Sequence, residues 1–196
     1  LLARLLIALR AKETPYFFLD THAGIGRYDL AHEWAWKTRE FETGIGKLWD
    51  RSDIPAALAP YMDAVRSENP KKRLRFYPGS PFIALNLRRP GDRLLLNELN
   101  KTDCVDLAAA MGRSRNVAVH GMDAYQALKA FLPPKERRGL VLIDSAFDRA
   151  GEFRRVLKAV KGAHQLWPTG MYAVWYPLMD PAAMGEFPRD VTKSGI

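Results

Sequence analysis

The arrangement of apolar residues predicts a sheet of short buried strands. Five runs of three or four consecutive apolar residues occur along the chain, at 16–19, 94–96, 117–119, 140–143 and 172–175. Strands that are apolar on both faces are typical of parallel sheets, because helices cover both faces of such sheets. The pattern therefore predicts five parallel strands in one buried sheet.

Between these runs, apolar residues recur at the spacing of helices. The clearest example has the i, i+3, i+4, i+7 pattern of a one-sided apolar face, at Phe153, Val156, Leu157 and Val160. Similar faces occur over 1–9, 107–111 and 125–132. Alternation of strands and helices predicts an α/β fold of Rossmann-like type, a mostly parallel sheet flanked by helices.

One stretch interrupts this alternation. Residues 28–72 contain no predicted strand, and their apolar residues, such as Leu58 and Tyr61, recur at helical intervals. We expect a helical insertion subdomain over 28–72, within a single domain over 1–196. The chain opens inside a predicted helix and stops where another strand could begin, so we expect this domain to be incomplete at both ends.

Composition sets wider limits on the class of protein. A chain of 196 residues suits one well-buried core. Cys104 is the only cysteine, which excludes a disulfide framework and a zinc site of Cys/His spacing, so we expect a reducing cytoplasmic compartment and no metal. No apolar run approaches the roughly 20 residues that span a bilayer, so we expect no membrane association.

The strongest chemical signal is a glycine-rich turn after the first predicted strand. Asp20 ends that strand, and Gly24 and Gly26 follow it. Glycines let a backbone approach a ligand closely, and α/β sheets bind ligands at the carboxyl ends of their strands. The dinucleotide fingerprint requires a third glycine where Asp29 stands, so the turn favours a nucleoside cofactor other than a dinucleotide.

Two further acids follow predicted strands. Glu98 comes after the second strand, where a carboxylate can accept both ribose hydroxyls of NAD or of S-adenosylmethionine. Asp123 follows the third strand at the start of a predicted helix. It can cap that helix, contact an adenine amine, or do both. A solvated strand-end acid is the alternative for Glu98.

A third acid follows the fourth predicted strand. Asp144 ends that strand, and the aromatic Phe147 stands three residues later. A methyltransferase that acts on an exocyclic amine needs this arrangement. The carboxylate and the following carbonyl can accept hydrogen bonds from the amine, and the ring can stack on the base. Such chemistry needs no metal, because a sulfonium already makes its methyl group electrophilic.

Together these segments resemble one family. The resemblance is carried by five segments, at 19–28, 77–81, Glu98 with its strand, 138–144 and 172–177. They are similar, in order, to the RlmJ family of bacterial 23S ribosomal RNA adenine-N6 methyltransferases. The resemblance implies the Rossmann-like class I methyltransferase fold and S-adenosylmethionine as cofactor. It also implies transfer of a methyl group to the N6 amine of an adenine in 23S ribosomal RNA.

The resemblance also implies roles for individual residues. Asp144 would be the catalytic acid and would also contact the cofactor. The other implied cofactor contacts are Asp20, His22, Gly24, Gly26, Ser80, Glu98, Asp123 and Ala124. For Ser80, the alternative is that its side chain caps a helix whose first residue is Pro81.

The loop after Asp144 departs from the family pattern. That pattern is Asp-Pro-Pro-Tyr, whereas this chain has Ser145, Ala146 and Phe147. Two prolines would fix the backbone before substrate arrives, and serine and alanine leave it freer. We expect a functional but slower enzyme. The alternatives are a non-catalytic RNA- or cofactor-binding relative and, on fold analogy alone, a nucleotide-dependent oxidoreductase.

The net charge of +8 and a pI near 9.7 favour a polyanionic partner. The candidate contacts with RNA are three basic clusters: Lys71, Lys72, Arg73 and Arg75; Arg88, Arg89 and Arg93; and Lys135, Arg137 and Arg138. The target adenine would be flipped out of its stack to expose the amine. We expect a monomer.

Overall fold

The computed structural model describes residues 1–177 and 181–196. Its main sheet has five strands: β1 (Phe17–Asp20), β4 (Arg93–Asn97), β5 (Val117–His120), β6 (Gly139–Ile143) and β7 (Met171–Val174). Their spatial order is β5-β4-β1-β6-β7, and each neighbouring pair is parallel. The five predicted strands and the α/β fold are therefore confirmed.

The order of the strands locates the ligand-binding edge. From β1 the sheet grows outward through β4 and β5, and the chain then returns to the other side of β1 as β6. Asp20 lies opposite Leu96 of β4 and Leu142 of β6. The carboxyl ends of β1 and β6 therefore lie together where the strand order reverses, which is where sheets of this type bind ligands.

Helices cover both faces of the sheet. They are α1 (Leu2–Arg10), α6 (Ser80–Leu87), α7 (Lys101–Met111), α8 (Ala124–Phe131), α9 (Glu152–Leu166) and α10 (Pro181–Lys193). Successive strand residues point to opposite faces. Phe18 and Leu140 pack with α1, α6 and α7, whereas Phe17 and Val141 pack with α8 and α9. This two-sided burial explains why the strands are apolar throughout.

The stretch after the glycine turn forms a second, smaller unit. It contains α2 (Glu33–Thr38), α3 (Glu40–Thr43), α4 (Gly46–Trp49), a 3-10 turn (Ala56–Leu58) and α5 (Ala59–Ser67). These helices share a small core around Ile45, Met62 and Val65. The helical character expected for 28–72 is thus seen over most of that stretch.

One expectation about this stretch was wrong. Two short strands, β2 (Arg27–Asp29) and β3 (Phe76–Pro78), pair antiparallel, with Tyr28 opposite Tyr77. The predicted strandless stretch therefore begins inside a strand. Three-residue strands are too short to show a two-residue period, and their partners lie far apart along the chain, so the pattern gave no signal.

Candidate active site

Both glycines of the turn after β1 have backbone conformations that favour glycine. Gly24 has φ +59° and Gly26 has φ +79°, in the left-handed region that other residues adopt at a cost. A side chain at either position would also collide with its surroundings. A Cβ atom on Gly24 would lie 2.6 Å from the Tyr28 hydroxyl oxygen, and one on Gly26 would lie 2.7 Å from Leu107 Cδ1.

Glu98 ties the turn to the neighbouring strand. One of its carboxylate oxygens accepts a hydrogen bond of 2.8 Å from the Gly24 N–H, and the other accepts one of 2.8 Å from the Asn100 N–H. Each carboxylate oxygen has a further lone pair, so Glu98 can still accept a hydrogen bond from a ligand. The structure therefore brings Glu98 to the glycine turn, and its contact with a ribose stays a prediction.

Asn97 links three loops at this edge, although the sequence had not singled it out. Its side chain is fully buried. It donates hydrogen bonds to the carbonyls of Thr21 and Met122, at 3.1 and 2.9 Å, and accepts one from the Met122 N–H at 3.2 Å. A signal was available in the sequence, since Asn97 is an amide at the end of an otherwise apolar strand. A buried amide needs several hydrogen-bond partners, so such a residue indicates contacts with neighbouring loops.

Asp20 is a buried carboxyl with an incomplete set of partners. Its side chain is inaccessible to solvent, and its Oδ2 atom has no hydrogen-bond partner among the described residues. Burial raises the pKa of Asp20 to about 7, although the Ser80 hydroxyl and the His22 N–H both lower it. An acceptor left without a partner at this depth suits the cationic group of a ligand.

His22 follows the same strand and is half-buried. Burial lowers the pKa of its imidazole, and this effect outweighs the nearby carboxylates of Glu98, Glu152 and Asp123. Its Nδ1 lies 2.9 Å from the Thr21 hydroxyl, which donates a hydrogen bond to the Leu142 carbonyl. Because the Thr21 hydroxyl proton points to the Leu142 carbonyl, His22 Nδ1 donates to the Thr21 oxygen. At neutral pH the Nε2 atom is then an acceptor.

Ser80 is the first residue of α6 and does not cap it. Gly79 occupies the capping position, no side chain caps this helix end, and Pro81 is the second helical residue. The alternative of a serine cap is therefore not seen: the helix begins one residue earlier than that alternative required, after the extended backbone of Gly79. Ser80 is free to direct its hydroxyl toward Asp20.

Asp123 caps α8, which was one of the two roles considered for it. Its carboxylate accepts hydrogen bonds from the N–H groups of Tyr125 and Gln126, at 3.0 and 3.1 Å. Ala124, the first residue of α8, is buried. The cap explains the acid at this position without a ligand, so the contacts of Asp123 and Ala124 with a cofactor stay predictions.

A cavity of about 500 Å³ opens at this edge of the sheet. Its walls include three residues of the candidate site and four further aromatic residues: His22, Ser80 and Asp144, with Tyr28, Tyr61, Tyr77 and Trp175. This volume is typical of sites for cofactors and small ligands. Six other candidate residues are not among the described residues that line this cavity: Asp20, Gly24, Gly26, Glu98, Asp123 and Ala124.

Asp144 faces this cavity directly after β6. Its side chain is exposed at the mouth, yet the surrounding protein removes part of its hydration and raises the pKa of its carboxyl. Trp175, which the sequence had placed in a strand, directly follows β7 and is 61% exposed on the same wall. An indole beside a carboxylate offers a flat surface for a base next to an acceptor for its amine.

Phe147 is held against the protein. Its backbone has φ +52°, and its ring packs on Phe153 of α9 with 4.6 Å between the centroids. The ring is half-buried and is not among the described residues that line the cavity. Its stacking on a base stays a prediction.

Two of the three basic clusters lie at the edge of the sheet opposite the candidate site. Arg93 begins β4, and Arg138 directly precedes β6, so both lie at the amino ends of the strands, opposite Asp20 and Asp144. Their guanidinium groups have structural partners. Arg93 pairs with Glu136, Arg89 pairs with Asp92, and Arg138 donates to the carbonyls of Leu9 and Thr14. Runs of charge in the sequence did not show which strand end they occupied.

Two classes of site find no support in the described residues. No group of three or more histidine, cysteine, aspartate and glutamate side chains there could hold a metal ion. No described helix is long and apolar enough to cross a membrane.

The chain was compared with families of known proteins. Residues 13–196 match the family model described as "Ribosomal RNA large subunit methyltransferase D, RlmJ". The chain belongs to the RlmJ family. The resemblance carried by the glycine turn and the segments around Ser80, Glu98 and Asp144 is therefore confirmed.

Two relatives bear the name "Ribosomal RNA large subunit methyltransferase J". The protein of Haemophilus influenzae is 44% identical over 172 residues, which are 87% of this chain and 61% of that protein. The protein of Escherichia coli is 38% identical over 189 residues, which are 96% of this chain and 68% of that protein. The chain thus spans about three fifths to two thirds of the length of these RlmJ relatives.

A solved structure agrees with the fold. A protein from Legionella pneumophila has a TM-score of 0.91 and 37% sequence identity, over 98% of this chain and 71% of that one. The fold of this RlmJ family member is therefore that of a known structure, including the sheet that positions the candidate site.

Proposed function

We propose that this chain carries the catalytic site of a methyltransferase that uses S-adenosylmethionine to methylate the N6 amine of an adenine in 23S ribosomal RNA. The observation that supports this most is Asp144 at the mouth of the cavity, next to the glycine turn. Membership of the RlmJ family supports the reaction class and the ribosomal substrate.

The residues at the glycine turn suit this cofactor. The unpartnered Oδ2 of Asp20 can accept hydrogen bonds from the ammonium group of its methionine part. Glu98 can accept from the ribose hydroxyls, and the left-handed glycines let the backbone approach closely. Ser80 and His22 line the cavity at this edge, where they would contact the cofactor. When bound, the cofactor supplies a methyl group on a sulfonium, which an amine nitrogen can take while the carbon–sulfur bonding pair stays on sulfur.

Asp144 would orient the target amine. Its carboxylate and the following Ser145 carbonyl are two acceptors for the two amine hydrogens, which directs the nitrogen lone pair at the methyl group. After transfer, the amine proton passes to Asp144 or to water. The raised pKa of Asp144 makes its carboxylate a better proton acceptor than an ordinary aspartate.

The polyanionic substrate would approach from the cavity side. Arg93 and Arg138 lie at the opposite edge of the sheet, so we do not propose them as contacts for RNA phosphates. Arg4 is the cationic residue among those described that line the cavity, and Phe147 and Trp175 are the aromatic candidates for stacking on the flipped adenine.

The test is incubation of the protein with methyl-labelled S-adenosylmethionine and 23S ribosomal RNA that lacks the modification, followed by digestion to nucleosides. We expect label in N6-methyladenosine. Label in another nucleoside would overturn the proposed target. Binding of cofactor and RNA without any label would instead support the non-catalytic relative.

A further inference from the structure

We propose that Ser145 and Glu152 form an anchor that holds the loop after Asp144 in its working position, in place of the prolines of the family pattern. This Ser145–Glu152 anchor rests on the proposed function, because it concerns the aim of the acceptors for the target amine. It makes the side chains of Ser145 and Glu152 positioning groups, distinct from the Ser145 carbonyl that is proposed to contact the amine.

The anchor is a set of hydrogen bonds to one buried carboxylate. The Ser145 hydroxyl donates to Glu152 Oε1 at 3.0 Å, and the Tyr125 hydroxyl donates to the same oxygen. Arg155 donates to the other oxygen at 3.2 Å. Glu152 is only 6% exposed, so water competes little for these bonds. Hydrogen bonds to a charged acceptor are stronger and more directional than those between neutral groups.

Glu152 is present as the carboxylate. Its burial would raise its pKa, but the hydrogen bonds from Tyr125 and Ser145 and the charge of Arg155 outweigh that effect, so the pKa lies below its ordinary value. At neutral pH the acceptor for Ser145 is therefore an anion.

The anchor connects the loop to rigid elements. Glu152 is the first residue of α9, and Tyr125 lies in α8. Both helices pack on the same face of the sheet, around Leu128, Val156 and Val160. A loop tied to both helices therefore takes its position from the core of the domain.

The loop is fixed on both sides of Ala146. On one side Ser145 binds Glu152, and on the other Phe147 packs against Phe153. Fixing the Ser145 side chain also fixes its α-carbon and so limits the orientation of its carbonyl, the second proposed acceptor for the amine. Two prolines would achieve this by restricting φ, whereas here a hydrogen bond and a ring contact do so.

The test compares three variants of the whole chain with the wild type: Ser145→Ala, Ser145→Thr and the control Ser114→Ala. Ser114 also donates one side-chain hydrogen bond, to the Met111 carbonyl at 2.8 Å, but it lies three residues beyond the end of α7. The readouts are kcat for RNA methylation, the Kd of S-adenosylhomocysteine, and Tm.

We expect kcat of Ser145→Ala to fall roughly tenfold or more, because small errors in the aim of reacting groups are costly. Its Kd and Tm should match those of Ser114→Ala. Ser145→Thr keeps the hydroxyl, so it should keep kcat within about threefold of the wild type.

Equal kcat for Ser145→Ala and Ser114→Ala, with an active wild type, would overturn the anchor and leave the proposed function standing. A loss of kcat in Ser145→Thr as large as in Ser145→Ala would also overturn it, because the hydroxyl would then not be the active feature. A wild type that binds cofactor and RNA but transfers no methyl group would instead refute the proposed function, and the anchor with it.

Discussion

The carboxylate of Glu98 accepts a hydrogen bond of 2.8 Å from the backbone N–H of Gly24. This bond connects the end of β4 with the glycine turn after β1, so the proposed ribose acceptor also shapes the turn that would receive the cofactor. One side chain thus has a structural role and a proposed binding role.

Replacing Glu98 by glutamine should affect both roles. A glutamine has one acceptor oxygen in place of two, so either the Gly24 or the Asn100 N–H loses its partner, and the ribose loses a charged acceptor. We expect the Kd of S-adenosylhomocysteine, measured by calorimetry, to rise about tenfold, the effect of about 1.4 kcal/mol. Glu13→Gln, at an exposed position, is the matched control. An unchanged Kd in Glu98→Gln would refute the ribose contact.

The raised pKa of Asp20 predicts that cofactor binding depends on pH. Below its pKa of about 7 the carboxyl is mostly protonated and cannot serve as an anionic acceptor. Affinity for S-adenosylhomocysteine should therefore rise with pH, by about tenfold between pH 6 and pH 8 for one linked proton. Burial lowers the pKa of the His22 imidazole.

Asp20→Asn separates this effect from other titrations. Asparagine does not ionise, so its affinity should be weaker and almost independent of pH between 6 and 8. A flat pH profile in the wild type would count against an ionised Asp20 at the cofactor, and a steep profile in Asp20→Asn would point to another group.

The position of Arg93 leads to a prediction about stability. Its guanidinium donates hydrogen bonds of 2.8 and 2.9 Å to Glu136, whose side chain is only 6% exposed. Arg93→Ala should lower the free energy of unfolding by about 1–3 kcal/mol, because it leaves a buried charge unpaired. Its affinity for RNA should stay within about twofold of the wild type. Denaturant unfolding and a filter-binding assay measure the two quantities, with Lys135→Ala as the control. A large loss of RNA affinity in a stable Arg93→Ala variant would contradict this prediction. It would indicate that RNA binds at the amino ends of the strands.

The main sheet could be predicted because its strands are buried on both faces and therefore apolar throughout. The loops with Asp20, Glu98 and Asp144 followed from the rule that parallel strands end at one edge. The two short strands around the helical stretch could not be predicted, because pairing across such a distance leaves no local pattern. The position of Arg93 and Arg138 at the amino ends of the strands could not be predicted, because charge in a sequence does not show which end of a strand it occupies.

The loop after Asp144 shows a different limit. From residue types alone, Ser145 and Ala146 indicated a freer loop than two prolines would give. The partner that restrains Ser145 is Glu152, and their contact depends on how α9 begins, which no residue type in the loop could show.

The most direct test of the account is the amount of N6-methyladenosine formed in unmodified 23S ribosomal RNA by the wild type, by Asp144→Ala and by the control Asp148→Ala, an exposed acid in the same loop. We predict product from the wild type and from Asp148→Ala, and a fall in kcat of about a hundredfold or more in Asp144→Ala with its Tm unchanged. Asp144→Ala that methylates as fast as the wild type would contradict the account.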